Sequence, residues 1–219
     1  MRLKESGARG LKLFASSLAV LIALLFSVIP AAAAPVSLVG FGDSLMAGYQ
    51  LPPEDAFPAR MEKALRDKGL DVTIANAGVS GDTTAAGLAR IAWSVPDGTK
   101  GVILELGAND ALRGIPPEET RKNLTAMIEA LKARGIDILL VGMLAPPNMG
   151  GDYGARFNAI YPDLAKTYGL TLYPFFLDGV VENAALKLQD GMHPNAEGVA
   201  TMVDRMLPAA EAFVRKLAE

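Results

Sequence analysis

The chain of 219 residues has no cysteine and only one histidine. Absence of thiols excludes a disulfide framework and a lipid-modified lipoprotein signal, and leaves the redox compartment open. With one histidine and no cysteine there is no Cys/His cluster to ligate a metal. Aromatic residues make up only 6%, but the hydrophobic fraction of 51% is ample for a core. Basic residues are also scarce as clusters: 21 Lys+Arg stand against 24 Asp+Glu. Nucleic-acid binding rests on neutralising phosphates, so the composition argues against that class. Internal repeats, low-complexity tracts and linkers are absent, which points to one domain.

Part of the hydrophobicity belongs to the amino terminus. Arg2, Lys4, Arg9 and Lys12, opposed only by Glu5, precede the apolar stretch "LFASSLAVLIALLFSVIP" and the run Ala31 to Ala34. A positive flank, an apolar run and an Ala-x-Ala site read as a secretory signal peptide. Residues 1–33 are expected to be removed, because cutting after Ala34 would leave Pro35 at the scissile bond. A retained membrane anchor is the alternative, although an apolar run of about 17 residues is near the lower limit for spanning a bilayer. Losing four cations and one anion leaves 17 Lys+Arg against 23 Asp+Glu, a net charge of −6 for residues 34–219. The expected location is periplasmic or secreted, with no stable membrane span after cleavage.

From residue 36 onward, short apolar runs alternate with helical patterns. The runs are "VSLVGF", "VTIANA" (72–77), "GVILELG" (101–107), "DILLVGML" (137–144) and "LTLYPF" (170–175). They are nearly continuous in Val, Ile and Leu, as strands covered on both faces require. Helices are expected near 57–68, 83–93, 117–134, 153–168 and 195–217. Pro116 and Pro117 suit an opening turn, and Glu118 and Glu119 complement the positive helix end. Gly69, Gly135 and Gly169 each follow a helical stretch, where a left-handed residue is wanted. Repeated strand–helix–strand order predicts right-handed crossovers and a parallel sheet in one α/β domain, residues 34–219.

In open α/β sheets, ligands sit beyond the carboxyl ends of the strands. Gly42-Asp43-Ser44 follows the first run and "NAGVSGDTT" the second, with Gly81 and Asp82. "GAND" follows the third, with Asn109 and Asp110, and "LAPPNMGG" the fourth. Past the fifth lies "QDGMHPNAEG" with Asp190 and His193. If a serine is to be activated by imidazole, His193 is the one base, and imidazole's ordinary pKa of about 6.5 suits proton exchange near neutrality. Asp190, three residues earlier, can reach Nδ1 and leave Nε2 for Ser44, the orienting role of a triad. Pro194 disfavours helix at His193 and suits a helix starting there.

Each piece alone has a plainer reading. Ser44 can be a helix cap, His193 a surface residue, Asn109 a turn residue and Gly81 a positive-φ hinge. No third glycine at dinucleotide spacing and no Gly-Lys-Ser/Thr follows "VGFGDS", so a nucleotide loop is disfavoured. Position 46 is Met, which disfavours a Gly-x-Ser-x-Gly elbow and the α/β-hydrolase fold with it.

Taken in order, Gly42-Asp43-Ser44, Gly81, "GAND" (107–110) and "DGMH" (190–193) resemble the block pattern of the SGNH (GDSL) hydrolases. The resemblance covers the chain from residue 36, and none of the four blocks departs from it. "GDSLMAGY", "SGDTTAAGLAR", "ELGANDALRG", "FNAIYPDLAKTYG" and "PFFLDGV" are most similar to the periplasmic thioesterase I/lysophospholipase/arylesterase branch. The resemblance implies a three-layer, flavodoxin-like fold with a five-stranded parallel sheet and helices on both faces. It implies Ser44 as nucleophile, His193 as general base and acid, and Asp190 as its partner. An oxyanion hole of the Ser44 and Gly81 amides and the Asn109 side chain goes with these, without metal or cofactor. Leu112, Leu144, Pro146 and Met149 are candidate acyl-binding residues, and Arg113 a candidate for an anionic head group. The expected substrate is a small-molecule aryl ester, acyl thioester or lysophospholipid, and the expected state a monomer. A carbohydrate O-deacetylase on the same frame and a non-catalytic lipid-binding protein are the competing readings.

Overall fold

The apolar runs become five strands, β1 (Val36–Gly42), β2 (Val72–Gly78), β3 (Gly101–Glu105), β4 (Asp137–Val141) and β5 (Thr171–Tyr173). The structure, a computed structural model, describes residues 34–219, and the leader assigned to residues 1–33 lies outside the described residues. Every pairing is parallel and the order is β2-β1-β3-β4-β5. This is the doubly wound, flavodoxin-like order, in which the chain leaves β1 toward one edge and returns to build the other. The predicted fold class is the observed one.

Position in the sheet explains the strand patterns. All of β3 is buried, as are the last five residues of β1, because strands and helices surround them. Strand β2 lies at an edge, and Ala75 and Asn76 are exposed there despite their apolar-looking run. Strand β5, the opposite edge, is shorter than the run that announced it.

Helix α1 (Ser44–Ala47) follows β1 directly, and α2 (Phe57–Asp67) carries the chain to β2. In α2, Phe57, Met61 and Leu65 recur on one stripe and are buried. Helix α3 (Thr84–Ser94) precedes β3, and the short α4 (Ala108–Leu112) follows it. Helix α5 (Pro117–Ala133) opens on Pro117 with Glu118 and Glu119 in its first turn, as predicted. The single helix expected over 153–168 is two, α6 (Gly151–Asn158) and α7 (Ile160–Tyr168). Pro162 has no N–H to return to the preceding turn, which separates them. Helix α8 (Ala196–Leu217) begins after Asn195, whose side chain accepts the Gly198 N–H. Gly69, Gly135 and Gly169 end their helices at φ of 81°, 69° and 64°.

Helix α2 packs on α8, and α3 on α5. Right-handed crossovers put α2 and α3 on opposite faces of the sheet. The core between these layers includes Phe41, Leu104 and Leu139 from the strands and Met61, Leu65, Met202 and Met206 from helices, all fully buried. Each such side chain contributes about 1.5–3 kcal/mol relative to exposure. That rigidity matters for the carboxyl edge of β1, β2 and β3, where the chain reverses its winding.

Candidate active site

Strand β1 reaches this edge through a narrow passage. A Cβ on Gly42 would lie 2.6 Å from the Glu105 carbonyl oxygen and 2.8 Å from Met46 Cβ. Only glycine lets the strand end run between β3 and α1. Asp43 then caps α1, its carboxylate accepting the Leu45 N–H at 3.0 Å. The cap is therefore Asp43 and not Ser44. Ser44, 9% exposed, directs its hydroxyl outward instead, with Oγ 2.9 Å from Nε2 of His193.

The loop before α8 is shaped by Asp190. Oδ1 accepts the N–H groups of Met192 at 2.9 Å and His193 at 3.0 Å, while Oδ2 is 2.6 Å from His193 Nδ1. Leu188 N–H closes the loop on the His193 carbonyl at 2.7 Å. The Met192 and His193 amides, with the imidazole, hold the Asp190 carboxyl down at about 2. An ionised Asp190 favours the proton on Nδ1, so Nε2 accepts from the Ser44 hydroxyl.

Gly81 follows β2 at φ 86°, a conformation that disfavours a side chain. Its carbonyl accepts from Arg113 Nη2 at 2.9 Å, so Arg113 braces the Gly81 turn. Asn109 stands on α4 with Nδ2 3.0 Å from Asp43 Oδ2 and 3.0 Å from the Asp82 carbonyl oxygen. Ser44, Gly81 and Asn109, drawn from the ends of three neighbouring strands, line one groove with Asp190 and His193.

Two residues that hold this edge had not been singled out from sequence. Arg90, 7% exposed, donates to Gly42 O and Ala77 O at 2.9 Å each and to Asp82 Oδ2 at 2.6 Å. Its guanidinium lies 3.9 Å from the Phe41 ring centroid. One planar fork thus ties the ends of β1 and β2 to the Asp82 turn. Its signal is visible in "TAAGLARIAWS", where a lone charge stands in an otherwise uncharged helix. Glu105, the last residue of β3, is fully buried and accepts the Asp43 N–H at 3.3 Å. Burial pushes Asp43 up to about 6, opposed by the Leu45 and Asn109 donors. Burial, then the Asp43 charge, pushes Glu105 well above the usual carboxylate range, so Glu105 is the partner that keeps its proton.

The groove over Ser44 has a volume of about 1210 Å³. Leu112, Leu144 and Pro146 line it, joined by Met143, Phe175, Leu177 and Val180 from beyond β4 and β5. Met149 does not line it. Pro147–Met149 forms a 3-10 turn, and Met149 Cε reaches toward Gly114, 3.5 Å from the place of a Cβ there. Among the described residues, no three His, Cys, Asp or Glu side chains are grouped to hold a metal ion, and no helix is long and apolar enough to cross a membrane.

The pattern of the GDSL-like lipase/acylhydrolase family matches residues 41–200. The chain is 41% identical over 177 residues to an arylesterase of Vibrio mimicus, covering 80% of this chain and 88% of that one. It is 36% identical over 184 residues to thioesterase 1/protease 1/lysophospholipase L1 of Escherichia coli K12, covering 84% and 87%. Among solved structures, the SGNH-hydrolase family esterase AlinE4 superposes with a TM-score of 0.70 at 47% identity, covering 81% of this chain and 96% of that one. The chain belongs to the GDSL-like lipase/acylhydrolase family. It is a hydrolase of carboxylic esters.

Proposed function

We propose that Ser44 is the nucleophile of this hydrolase, His193 its general base and Asp190 the residue that orients the imidazole. The single observation that carries the reading is the continuous chain from Ser44 Oγ through His193 to Asp190, at 2.9 Å and 2.6 Å. Ser44 Oγ attacks the acyl carbonyl as its proton moves to Nε2. The tetrahedral adduct then expels alcohol or thiol, which takes that proton, leaving an acyl-Ser44 ester. Water, deprotonated by the same nitrogen, attacks this ester, and Ser44 regains its proton as the acid departs.

The amide N–H groups of Ser44 and Gly81 and the Asn109 side chain are the donors for the oxyanion. As the first residue of α1, Ser44 has an N–H without an intrahelical acceptor. Neutral preorganised donors stabilise the developing charge without competing for the proton on the base.

The apolar walls from Leu112, Leu144, Met143 and Phe175 favour an acyl or aryl group over a sugar acetate. The substrates are thus aryl esters, acyl thioesters or lysophospholipids, met in the periplasm or outside the cell after removal of residues 1–33. The protein beginning at residue 34 should gain mass at Ser44 with a fluorophosphonate probe and hydrolyse aryl esters. Ser44→Ala should do neither while melting normally. Substantial turnover by a folded Ser44→Ala protein would refute the assignment.

A further inference from the structure

Orientation of His193 by Asp190 is internal to one loop, since the two residues are three apart and 189–192 are all exposed. Something on the body of the protein must set the imidazole plane toward Ser44. The Tyr49 ring lies against it, with centroids 4.4 Å apart and planes tilted by 36°. Tyr49 is 37% exposed, so it contributes little to the core.

The turn that presents Tyr49 is built on the candidate nucleophile itself. The Ser44 carbonyl accepts the N–H groups of Gly48 at 3.2 Å and Tyr49 at 3.1 Å. Gly48 takes a left-handed conformation at φ 79°, and an added Cβ there would lie 2.6 Å from Ala56 Cβ. Gln50, at φ 58°, is the one non-glycine residue with positive φ among the described residues. Such conformations are retained where the surroundings over-determine them, often beside functional groups. The ring that covers the imidazole is thus presented between a left-handed glycine that ends α1 and the left-handed Gln50.

We propose that Tyr49 is a positioning residue for His193, its ring face fixing the imidazole plane and stabilising the imidazolium formed when Ser44 gives up its proton. This rests on the reading of His193 as general base. An aromatic face carries negative quadrupole density and attracts a cation lying over it. The other groups in contact with the imidazole are Ser44 and Asp190, and the buried Asp43 carboxyl senses the His193 charge.

Tyr49→Leu and Tyr49→Phe separate the ring face from bulk and from the phenol oxygen. Leucine keeps apolar cover over the imidazole but has no quadrupole. With a short aryl acetate, Tyr49→Leu should move the ascending limb of kcat/KM about half a unit toward lower pH. Its plateau kcat should fall about threefold, with KM little changed. Tyr49→Phe should retain the wild-type limb and rate. A limb unmoved in Tyr49→Leu overturns the inference, and so does a Tyr49→Phe protein that shifts as far as Tyr49→Leu. Failure of the underlying reading is seen separately, as wild-type protein that is not labelled at Ser44 by fluorophosphonate or whose rate shows no ionisation.

Discussion

The amide nitrogen of Asn109 stands 3.0 Å from Asp43 Oδ2 and 3.0 Å from the Asp82 carbonyl oxygen. The residue next to the candidate nucleophile thus aims the candidate oxyanion donor. Two fixed acceptors orient the amide before substrate arrives, and an oxyanion must share the same nitrogen. Asn109→Ala should lower kcat by roughly 10²–10³-fold, the usual cost of one oxyanion donor, with KM for a small aryl ester little changed. A variant altered only in KM would make Asn109 a binding residue.

Asp190 acts on the imidazole through charge and tautomer. Asp190→Asn should preserve the fold and lower kcat by at least about 10²-fold, because an amide no longer favours the proton on Nδ1. Stopped assays on folded protein test this, and unchanged turnover would remove Asp190 from the mechanism. Its carboxyl is held at about 2 against an ordinary 3.8. Its stabilising effect is therefore present above the ordinary value and fades as pH falls toward the lower one.

Asp43 and Glu105 have the opposite sign. Their carboxyls are raised by burial, so the folded state holds protons that the unfolded chain releases. Their contribution is fully present below about pH 4 and is lost as pH rises through about 6 for Asp43, with the raised Glu105 carboxyl acting in the same direction. Glu105→Gln keeps an acceptor for the Asp43 N–H and removes one of the two titrations. Denaturant unfolding between about pH 4 and 8 should show a flatter decline for Glu105→Gln than for wild type. Parallel curves would mean that Glu105 ionises normally.

Gly42 is held by space alone. Gly42→Ala places a methyl group against the Glu105 carboxylate and carbonyl and against Met46. It should lower stability by about 1–3 kcal/mol and displace Ser44 from His193, seen as a lower melting temperature together with lost esterase activity. Normal melting and activity would show that β1 can shift at no cost.

Much of the site was readable as spacing. "GDS", "GAND" and "DGMH" pointed to Ser44, Asn109, Asp190 and His193 through their resemblance to a known block pattern, and alternation of apolar runs with helical patterns pointed to a parallel sheet in one α/β domain. The helices that carry Ser44 and Asn109 were not readable, since four and five residues are too few to show a period of 3.6. Arg90 and Glu105 were missed for another reason. Their partners Gly42, Ala77 and Asp43 are distant in sequence, and a charge inside an apolar run shows its use only when those partners are beside it. Met149 went the other way, because Pro147 winds the chain so that an apolar residue in the right loop faces away from the groove.

By itself, the sequence determined the order of strands and helices, the chemical groups after each strand and the Asp190–His193 pairing, all of which depend on neighbours a few residues apart. The tertiary structure decided which acceptor caps α1, which acceptors hold the Asn109 amide, which carboxyl keeps its proton and which ring covers the imidazole. Those outcomes depend on burial and on distances between segments far apart in the chain, and burial exists only once the sheet and its helices have closed around it.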